Sequence, residues 1–218
     1  MAKVLSAIGM ESLLEPWKRA CLAGNERTSL EQIFSLLEGK RKTLLGEKFD
    51  DAEIQRLLRK WKLRSGEEQA LLRDLLPRFD LDAQQIQRVL SEERVDFSVT
   101  ATLDDIARNP YLLAEQYIGD NADDVISFSR IDHGVMPAPD LGAAAVVEVD
   151  DWRRLRCLLV ERLRAEGQST FAPADVQLQM VNRRLEVLPD WRKHQFNERY
   201  LKVDREQTGN RGPVVVRM

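Results

Sequence analysis

The chain's clearest structural signal is the stretch Asp50-Asp51-Ala52-Glu53-Ile54-Gln55-Arg56-Leu57-Leu58-Arg59-Lys60-Trp61. Its apolar residues stand at positions 54, 57, 58 and 61, which is the i, i+3, i+4, i+7 spacing of one helix face. Asp50 is a suitable N-cap, because a carboxylate there accepts a backbone N–H of the first turn. Arg56, Arg59 and Lys60 fall on the opposite side. We therefore predict an amphipathic helix with Trp61 buried.

The same helical spacing recurs along the chain. Predicted helices begin at caps Ser29 (a capping box with Gln32), Asp82, Thr102 (with Asp105) and Asp150. The first of these is predicted to end at Gly39, and the helix after Asp50 at Gly66. Four leucines, at positions 71, 72, 75 and 76, predict another helix that stops at Pro77.

The second half of the chain is predicted in more varied elements. A helix is expected from Ala122 to Phe128, a loop from Asp132 to Gly142, and a short strand or buried connector from 143 to 149. The helix after Asp150 is expected to run to Arg164, with Gly167 ending it. Pro173 is expected to open the next helix. The residues predicted to face inward on these two helices are Trp152, Leu155, Leu159, Leu163, Val176, Met180 and Val181.

The last residues favour strands. Segments 199–203 and 213–218 are predicted to form a short β-hairpin through the turn 208–212. The fold class is therefore mainly α. We predict a small helical bundle over 1–97, a helix-hairpin-helix-like segment with an inserted loop over 98–149, and a winged-helix-like region with a short β-hairpin over 150–218.

Composition limits the possible functions. The chain has 218 residues, 43% of them apolar and 32% charged, with a formal net charge of −3. Such a chain folds, and it has no global attraction to nucleic acid or acidic lipid. No apolar run approaches the ~20 residues that a bilayer span needs, and the N-terminus is a poor signal peptide. Cys21 and Cys157 are isolated, as reduced core thiols are. We expect a cytoplasmic protein without a membrane partner.

Motifs for common chemistry are missing from the sequence. There is no GxxxxGK[ST] phosphate loop. His133 and His194 have no second ligand at metal spacing, and Asp132 beside His133 lacks an activated nucleophile. The acidic pairs 104–105 and 123–124 suit the first turns of helices. We therefore expect no catalytic residue, no metal and no cofactor.

Basic residues are concentrated in two regions. Between 40 and 64 there are nine basic and four acidic residues, a net charge of +5, and from 153 to 218 there are fourteen and eight, a net charge of +6. Basic stripes neutralise phosphates, which supplies the sequence-independent part of DNA affinity. Solvated helix faces are the alternative. The predicted DNA-binding residues are Arg183, Arg184, Arg192 and Lys193, with Arg56, Arg59 and Lys60 as a second patch.

The stretch Leu103-Asp104-Asp105-Ile106-Ala107-Arg108-Asn109-Pro110-Tyr111-Leu112-Leu113 resembles a segment of RecD-like (exonuclease V α-subunit-like) DNA helicases. In that family an Asn-Pro-Tyr triplet opens the helix-hairpin-helix region. A glycine hairpin follows it, and segment 118–126 takes this place here. Segments 152–167 and 171–185 are similar to the family's later helices.

This resemblance implies a region that lies beside the helicase's ATPase motor and lacks the motor itself. A DNA-binding hairpin normally has two glycines, whose backbone N–H groups approach a phosphate. Here Gly119 is followed by Asn121, among acidic residues, so we expect the hairpin to pack within the fold. The leading hypothesis is a non-catalytic accessory region in DNA repair, with weak, sequence-independent DNA binding and the motor domain of the same protein as partner. A protein–protein scaffold, or an independent winged-helix regulator with its recognition helix at 176–184, are the alternatives.

Overall fold

The computed structural model describes residues 1–44, 46–166, 173–204 and 215–217. This part of the chain is mainly α-helical, with two small antiparallel hairpins, which confirms the predicted fold class. The chain divides into two compact units. Unit 1 comprises residues 1–108 and 118–120, and unit 2 comprises residues 109–117 and 121–218. The three-segment organisation stays a prediction, and its middle segment contributes residues to both units.

Unit 1 contains seven α-helices and one hairpin in the described chain. The hairpin pairs β1 (Thr43–Leu44) with β2 (Glu47–Lys48). The core of unit 1 includes fully buried aliphatic side chains, among them Leu5, Leu13, Ile33, Leu36, Leu57, Leu72 and Val89. The helices are α1 (Ala2–Ala7), α2 (Leu14–Leu22), α3 (Glu26–Leu37), α4 (Asp51–Lys62), α5 (Gly66–Ala70), α6 (Ala83–Leu90) and α7 (Leu103–Arg108).

Several predicted helix ends are confirmed. The Asp50 carboxylate accepts the first-turn N–H of α4, and Asp82 forms a capping box at the start of α6. The Thr102 hydroxyl accepts the Asp105 N–H at 3.1 Å. Gly39, with φ of +76°, follows the end of α3 in the left-handed region that glycine adopts without strain.

Two predicted ends in unit 1 are wrong. Helix α3 begins at Glu26 after Asn25, one turn before Ser29, whose side chain is fully buried. An acidic residue in the first turn favours this earlier start. Helix α4 ends before Gly66, which is the first residue of α5. The reason is local: Ser65 and Glu68 form a complete capping box that starts a new helix there.

The leucine-rich segment before Pro77 is helical but irregular. Residues Leu71–Leu75 form a π-helical turn and Leu76–Arg78 a 3₁₀ turn. Proline has no N–H to continue an α-helix, and such turns accommodate its ring. All four leucines are buried, as their spacing predicts.

Unit 2 is built around its longest helix, α10 (Trp152–Glu166), which packs on α8 (Tyr111–Gln116), α9 (Phe128–Val135) and α11 (Ala174–Glu186). Strands β3 (Lys202–Asp204) and β4 (Val215–Arg217) pair antiparallel, with Val203 opposite Val216. The predicted C-terminal hairpin is therefore confirmed, but its first strand begins at Lys202 and not at Arg199, because Glu198–Tyr200 form a 3₁₀ turn. Its turn at 208–212 and the predicted stop at Gly167 lie outside the described residues. The core includes Tyr111, Leu113, Ile131, Val135, Leu158, Val181 and Leu185.

Other predictions for unit 2 need correction. Residues 122–127 are not helical. The helix starts instead at Phe128 and includes Asp132, which the sequence places in a loop. The first-turn N–H of α10 at Arg153 binds the Asp151 carboxylate rather than Asp150, so the N-terminal cap is one residue later. Segment 143–149 is a connector, of which Val147 is the buried residue.

The inward faces of α10 and α11 also differ from the prediction. Leu155, Leu159 and Val181 are buried as expected. Others predicted to be buried are not. Trp152 is 53% exposed, Val176 45% and Leu163 43%, and Met180 is half-buried. In unit 1, Trp61 is buried, at 4% exposed. No helix in the described ranges is long and apolar enough to cross a membrane.

Candidate nucleic-acid interface

Helix α4 holds the first group of predicted DNA-binding residues. The Asp50 carboxylate accepts the Glu53 N–H at 2.7 Å, which fixes the start of the helix. Ile54, Leu57 and Trp61 pack into the core of unit 1. The opposite face of α4 therefore projects into solvent.

The three predicted residues on α4 have different partners. Arg56 donates two hydrogen bonds of 2.7 Å to the Glu53 carboxylate. The ammonium group of Lys60 is half-buried and donates to the Gly9 carbonyl. Arg59 is exposed and donates only to a backbone carbonyl one turn before it, at 3.3 Å. Among the described residues, Arg56 is therefore the one of the three with a carboxylate partner, and Arg59 is the one whose charged group is both exposed and unpaired with a carboxylate.

A further cation, which the sequence prediction omitted, lies beside Arg59. Lys62 is exposed three residues later and has no carboxylate partner in the described part of the chain. Residues 55–64 contain five basic and no acidic side chains. Positive charge at a helix C-terminus is also favourable to the helix dipole. Arg59 and Lys62 nevertheless place two positive charges on one solvent-facing side of α4, where a phosphate can reach them.

The C-terminal group does not form one free basic patch. Arg184 pairs with the Glu161 carboxylate, and Lys193 pairs with Asp190 at 2.7 Å. Arg183 is exposed on α11 and has no ion pair within the described ranges. Sequence adjacency therefore grouped residues that the fold uses differently.

Arg192 is the fourth member of that group, and it is mostly buried. Its side chain is 15% exposed, and its Nη1 lies 3.5 Å from the Asp132 carboxylate. Its Nε is also buried, without a hydrogen-bond partner. A guanidinium in this position contributes to the interior of unit 2 more than to its surface potential.

Asp132 lies at the centre of a buried polar network. Arg154 donates to both carboxylate oxygens of Asp132, at 2.8 and 3.1 Å, and the Tyr111 hydroxyl donates at 2.8 Å. The Asp132 and Arg154 residues are both 0% exposed. Burial, and secondarily the Asp132 charge, raise the pKa of Tyr111 well above its usual value. The hydroxyl therefore stays protonated and remains a donor.

Sequence reasoning missed this network. Arg154 occupies the same helix face as Leu158, four residues later, and both are buried. A charged residue inside an apolar stripe is a sign of a buried ion pair, because an unpaired charge there is very costly. That sign exists in the sequence, but nothing in the sequence identifies Asp132 as the partner.

The predicted hairpin around Gly119 and Asn121 is held by its own side chains. The Asn121 Oδ1 accepts the backbone N–H groups of Asp123 and Asp124, at 2.9 and 3.1 Å. The Tyr117 hydroxyl donates to the Asp124 carboxylate. Neither Gly119 nor Asn121 has a positive φ. The turn's N–H groups at 123 and 124 are therefore used within the fold, as a packed turn requires.

The residues that the sequence suggests for acid–base or metal chemistry have hydrogen-bond partners within the fold. Asp132 belongs to the buried network, while His133 is exposed and its Nδ1 lies 3.0 Å from the Ser129 carbonyl oxygen. Asp105 accepts the Thr102 hydroxyl at 2.7 Å. In the residues that the structure describes, no group of three or more His, Cys, Asp or Glu is placed to hold a metal ion.

Glu115 is a buried carboxylate of unit 2 that sequence reasoning also missed. It is 4% exposed, and the Nε of Arg156 lies 3.1 Å from its Oε2. Neither carboxylate oxygen receives a well-directed hydrogen bond. Burial raises the pKa of Glu115, and the nearby charges of Arg156 and Arg164 only partly oppose this. The arrangement is an ion pair in contact but imperfectly hydrogen-bonded.

Comparison with known proteins gives no relative: no protein-family model, no curated protein and no solved structure matches the chain. The resemblance to RecD-like helicases therefore stays a prediction from the sequence. We infer function from the charges and contacts of the described residues.

Proposed function

We propose that this chain is a non-catalytic, DNA-associated accessory region of a RecD-like ATP-dependent DNA helicase. It acts in the cytoplasm beside the ATPase motor of the same protein and does no chemistry itself. The observation that carries the proposal is the α4 basic face, which we define as Arg59 and Lys62. Both side chains are exposed on one side of a helix whose other side is buried. The sequence resemblance supplies the helicase context.

The α4 basic face suits weak binding that ignores base sequence. Two cations can neutralise two phosphates and release their counterions, which favours any nucleic acid equally. Arg56 is adjacent, but its charge is neutralised by Glu53. We therefore expect about two phosphate contacts from unit 1, with a slope of log affinity against log salt of about −1.4 to −1.8.

Fluorescence anisotropy with labelled duplex and single-stranded DNA tests the proposal. The Arg59→Gln/Lys62→Gln variant is expected to lose most of its affinity at low salt and to flatten the salt dependence. A matched control is Lys3→Gln/Lys18→Gln, which removes two exposed charges of unit 1 that pair with Asp80 and Glu15. Equal loss of affinity in both variants would assign binding to net charge alone and refute the α4 basic face.

A protein–protein scaffold is the second candidate, and exposed apolar side chains favour it. Leu22, Leu63 and Val187 are 90%, 87% and 81% exposed. If the parent chain binds neither duplex nor single-stranded DNA at low salt, the scaffold becomes the better assignment.

A further inference from the structure

A groove lined mainly by polar and charged residues, with Leu178 and Phe196 among them, runs along α11 in unit 2. Its volume is ≈ 680 Å³, and it lies between α11 and the segment 195–199. Two hydrogen bonds hold the walls together. Asn182 Nδ2 donates to the Phe196 carbonyl at 2.8 Å, and the Phe196 N–H donates to Asn182 Oδ1 at 2.9 Å. Phe196 is 2% exposed, so the segment is anchored through its side chain as well.

The groove has the length of a short extended peptide. Asp175 and Glu186 line its helical wall near the two ends of α11, eleven residues apart. At 1.5 Å per residue, this separation is about 16 Å along the helix axis. An extended chain rises about 3.3 Å per residue, so about five residues span the same distance.

The charged groups around the groove are not neutralised by ion pairs in the described chain, although the Arg199 guanidinium lies 5.4 Å from the centre of the Tyr200 ring. Asp175, Glu186 and Glu198 supply carboxylates, and Arg183 and Arg199 supply guanidinium groups. None of these five residues is in an ion pair within the described ranges. By contrast, Arg184, next to Arg183 on the same helix, is paired with a carboxylate of α10. Opposite charges that line one groove without pairing are available to a ligand that carries both signs.

The net negative charge of the groove argues against a phosphate backbone as its occupant. Three carboxylates and two guanidinium groups give it a net charge of −1, which repels phosphates. Carboxylates near both ends of α11 attract basic side chains, while Arg183 can receive an acidic or amide side chain between them. This is the chemistry of a polypeptide and not of a nucleic acid.

We propose that the α11 groove binds an extended segment of a partner protein, about five residues long, that carries basic side chains facing Asp175 and Glu186. This activity goes beyond the DNA association assigned to the α4 basic face, and it uses other residues in the other unit. Exposed ion pairs are individually weak, so each carboxylate changes the affinity by up to about fivefold.

The test uses an array of immobilised pentapeptides composed of Lys, Arg, Glu, Gln, Leu and Ala, probed with the full chain. The parent is expected to prefer Lys- and Arg-containing peptides. In solution anisotropy titrations, Asp175→Asn/Glu186→Gln should lower the affinity for the selected peptides by up to about 25-fold. Asp175→Lys/Glu186→Lys should reverse the preference towards Glu-containing peptides. The reversal is a gain of binding, which an unfolded variant could not give.

A matched control is Asp140→Asn/Asp190→Asn, which removes the same charge from exposed positions of unit 2 outside the groove. It should bind as the parent does. The proposal is overturned if the parent selects no basic peptide over an all-Ala peptide, or if the charge-reversed variant keeps the parent's preference. It is also overturned if single-stranded DNA binds the parent and Asp175→Asn/Glu186→Gln strengthens that binding more than Asp140→Asn/Asp190→Asn does. Both variants remove the same charge, so a larger effect in the groove variant would mean that the groove holds nucleic acid. Loss of DNA binding in the α4 variant does not affect any of these outcomes.

Discussion

Replacing Asp132 by Asn is expected to destabilise unit 2 by about 3–5 kcal/mol, because it removes one partner of a buried ion pair. Asn has nearly the same shape, so no cavity is formed. Its uncharged amide cannot accept both hydrogen bonds that Arg154 now donates to the two carboxylate oxygens. Arg154 is fully buried, so its guanidinium charge would be left in the interior without the carboxylate that now balances it.

Urea unfolding followed by circular dichroism measures this cost. With a slope of about 2 kcal/mol per M, the expected loss moves the transition of unit 2 by about 1.5–2.5 M. Asp140→Asn, at an exposed position, should stay within about 0.5 kcal/mol of the parent. Tyr111→Phe removes one hydrogen bond to the same carboxylate and should cost about 1.5–3 kcal/mol.

A double variant tests whether the cost comes from the unpaired charge. Asp132→Asn/Arg154→Met replaces the ion pair by neutral groups of similar length, and it should be more stable than Asp132→Asn alone. The reasoning is refuted if the free energy of unfolding of Asp132→Asn lies within about 1 kcal/mol of the parent's. It is also refuted if the double variant is less stable than Asp132→Asn, since the unpaired charge would then not be the cause of the loss.

Three further predictions follow from burial and pKa. Trp61→Ala should cost about 3–5 kcal/mol while Trp152→Ala, at a 53% exposed position, should cost less than about 1 kcal/mol, and equal urea midpoints for the two would contradict this. Native Cys21 should react with a disulfide reagent much faster than Cys157, because burial raises the pKa of the Cys157 thiol well above its usual value, and equal rates would show that Cys157 is accessible. Because burial raises the pKa of Glu115, its ionisation disfavours the folded state. The free energy of unfolding of the parent, relative to that of Glu115→Gln, should therefore fall as pH rises from about 4.3, the usual pKa of Glu in an unfolded chain, through the pKa of Glu115 in the folded chain. A relative free energy that instead increases with pH would show that the fold lowers the pKa of Glu115.

Local signals in the sequence predicted local structure well. The caps at Asp50, Asp82 and Thr102 are correct because a capping hydrogen bond depends on residues three apart in the chain. Ser29 satisfies the same pattern, yet the helix begins before it, after Asn25. A cap pattern shows where a helix can begin, and the residues before it decide whether it begins earlier.

Helix faces were harder to predict than helix positions. The apolar residues of α10 are spread widely enough to allow more than one inward face. The spacing that includes Trp152 and Leu163 competes with the one that includes Leu158, and the fold buries the latter. The Arg154–Asp132 ion pair fixes this rotation, because both charges must meet away from solvent. A contact between residues 22 positions apart leaves no periodic signal in the sequence.

The number of basic residues in a sequence overestimates the charge available to DNA, because some of these residues form ion pairs within the fold. Of the seven predicted DNA-binding cations, Arg59 and Arg183 lack a carboxylate or buried carbonyl partner in the described chain, and Arg183 lines a groove with three carboxylates. For these seven residues, whose contacts the structure describes, the net charges of +5 and +6 counted along the sequence therefore overstate the number of free cations. A chain with this distribution should show a shallow salt dependence for DNA even at low salt, since the slope counts neutralised phosphates and not basic residues. A steep slope, of the size that six or more contacts give, would require the internal ion pairs around Arg56, Arg184 and Lys193 to open on binding.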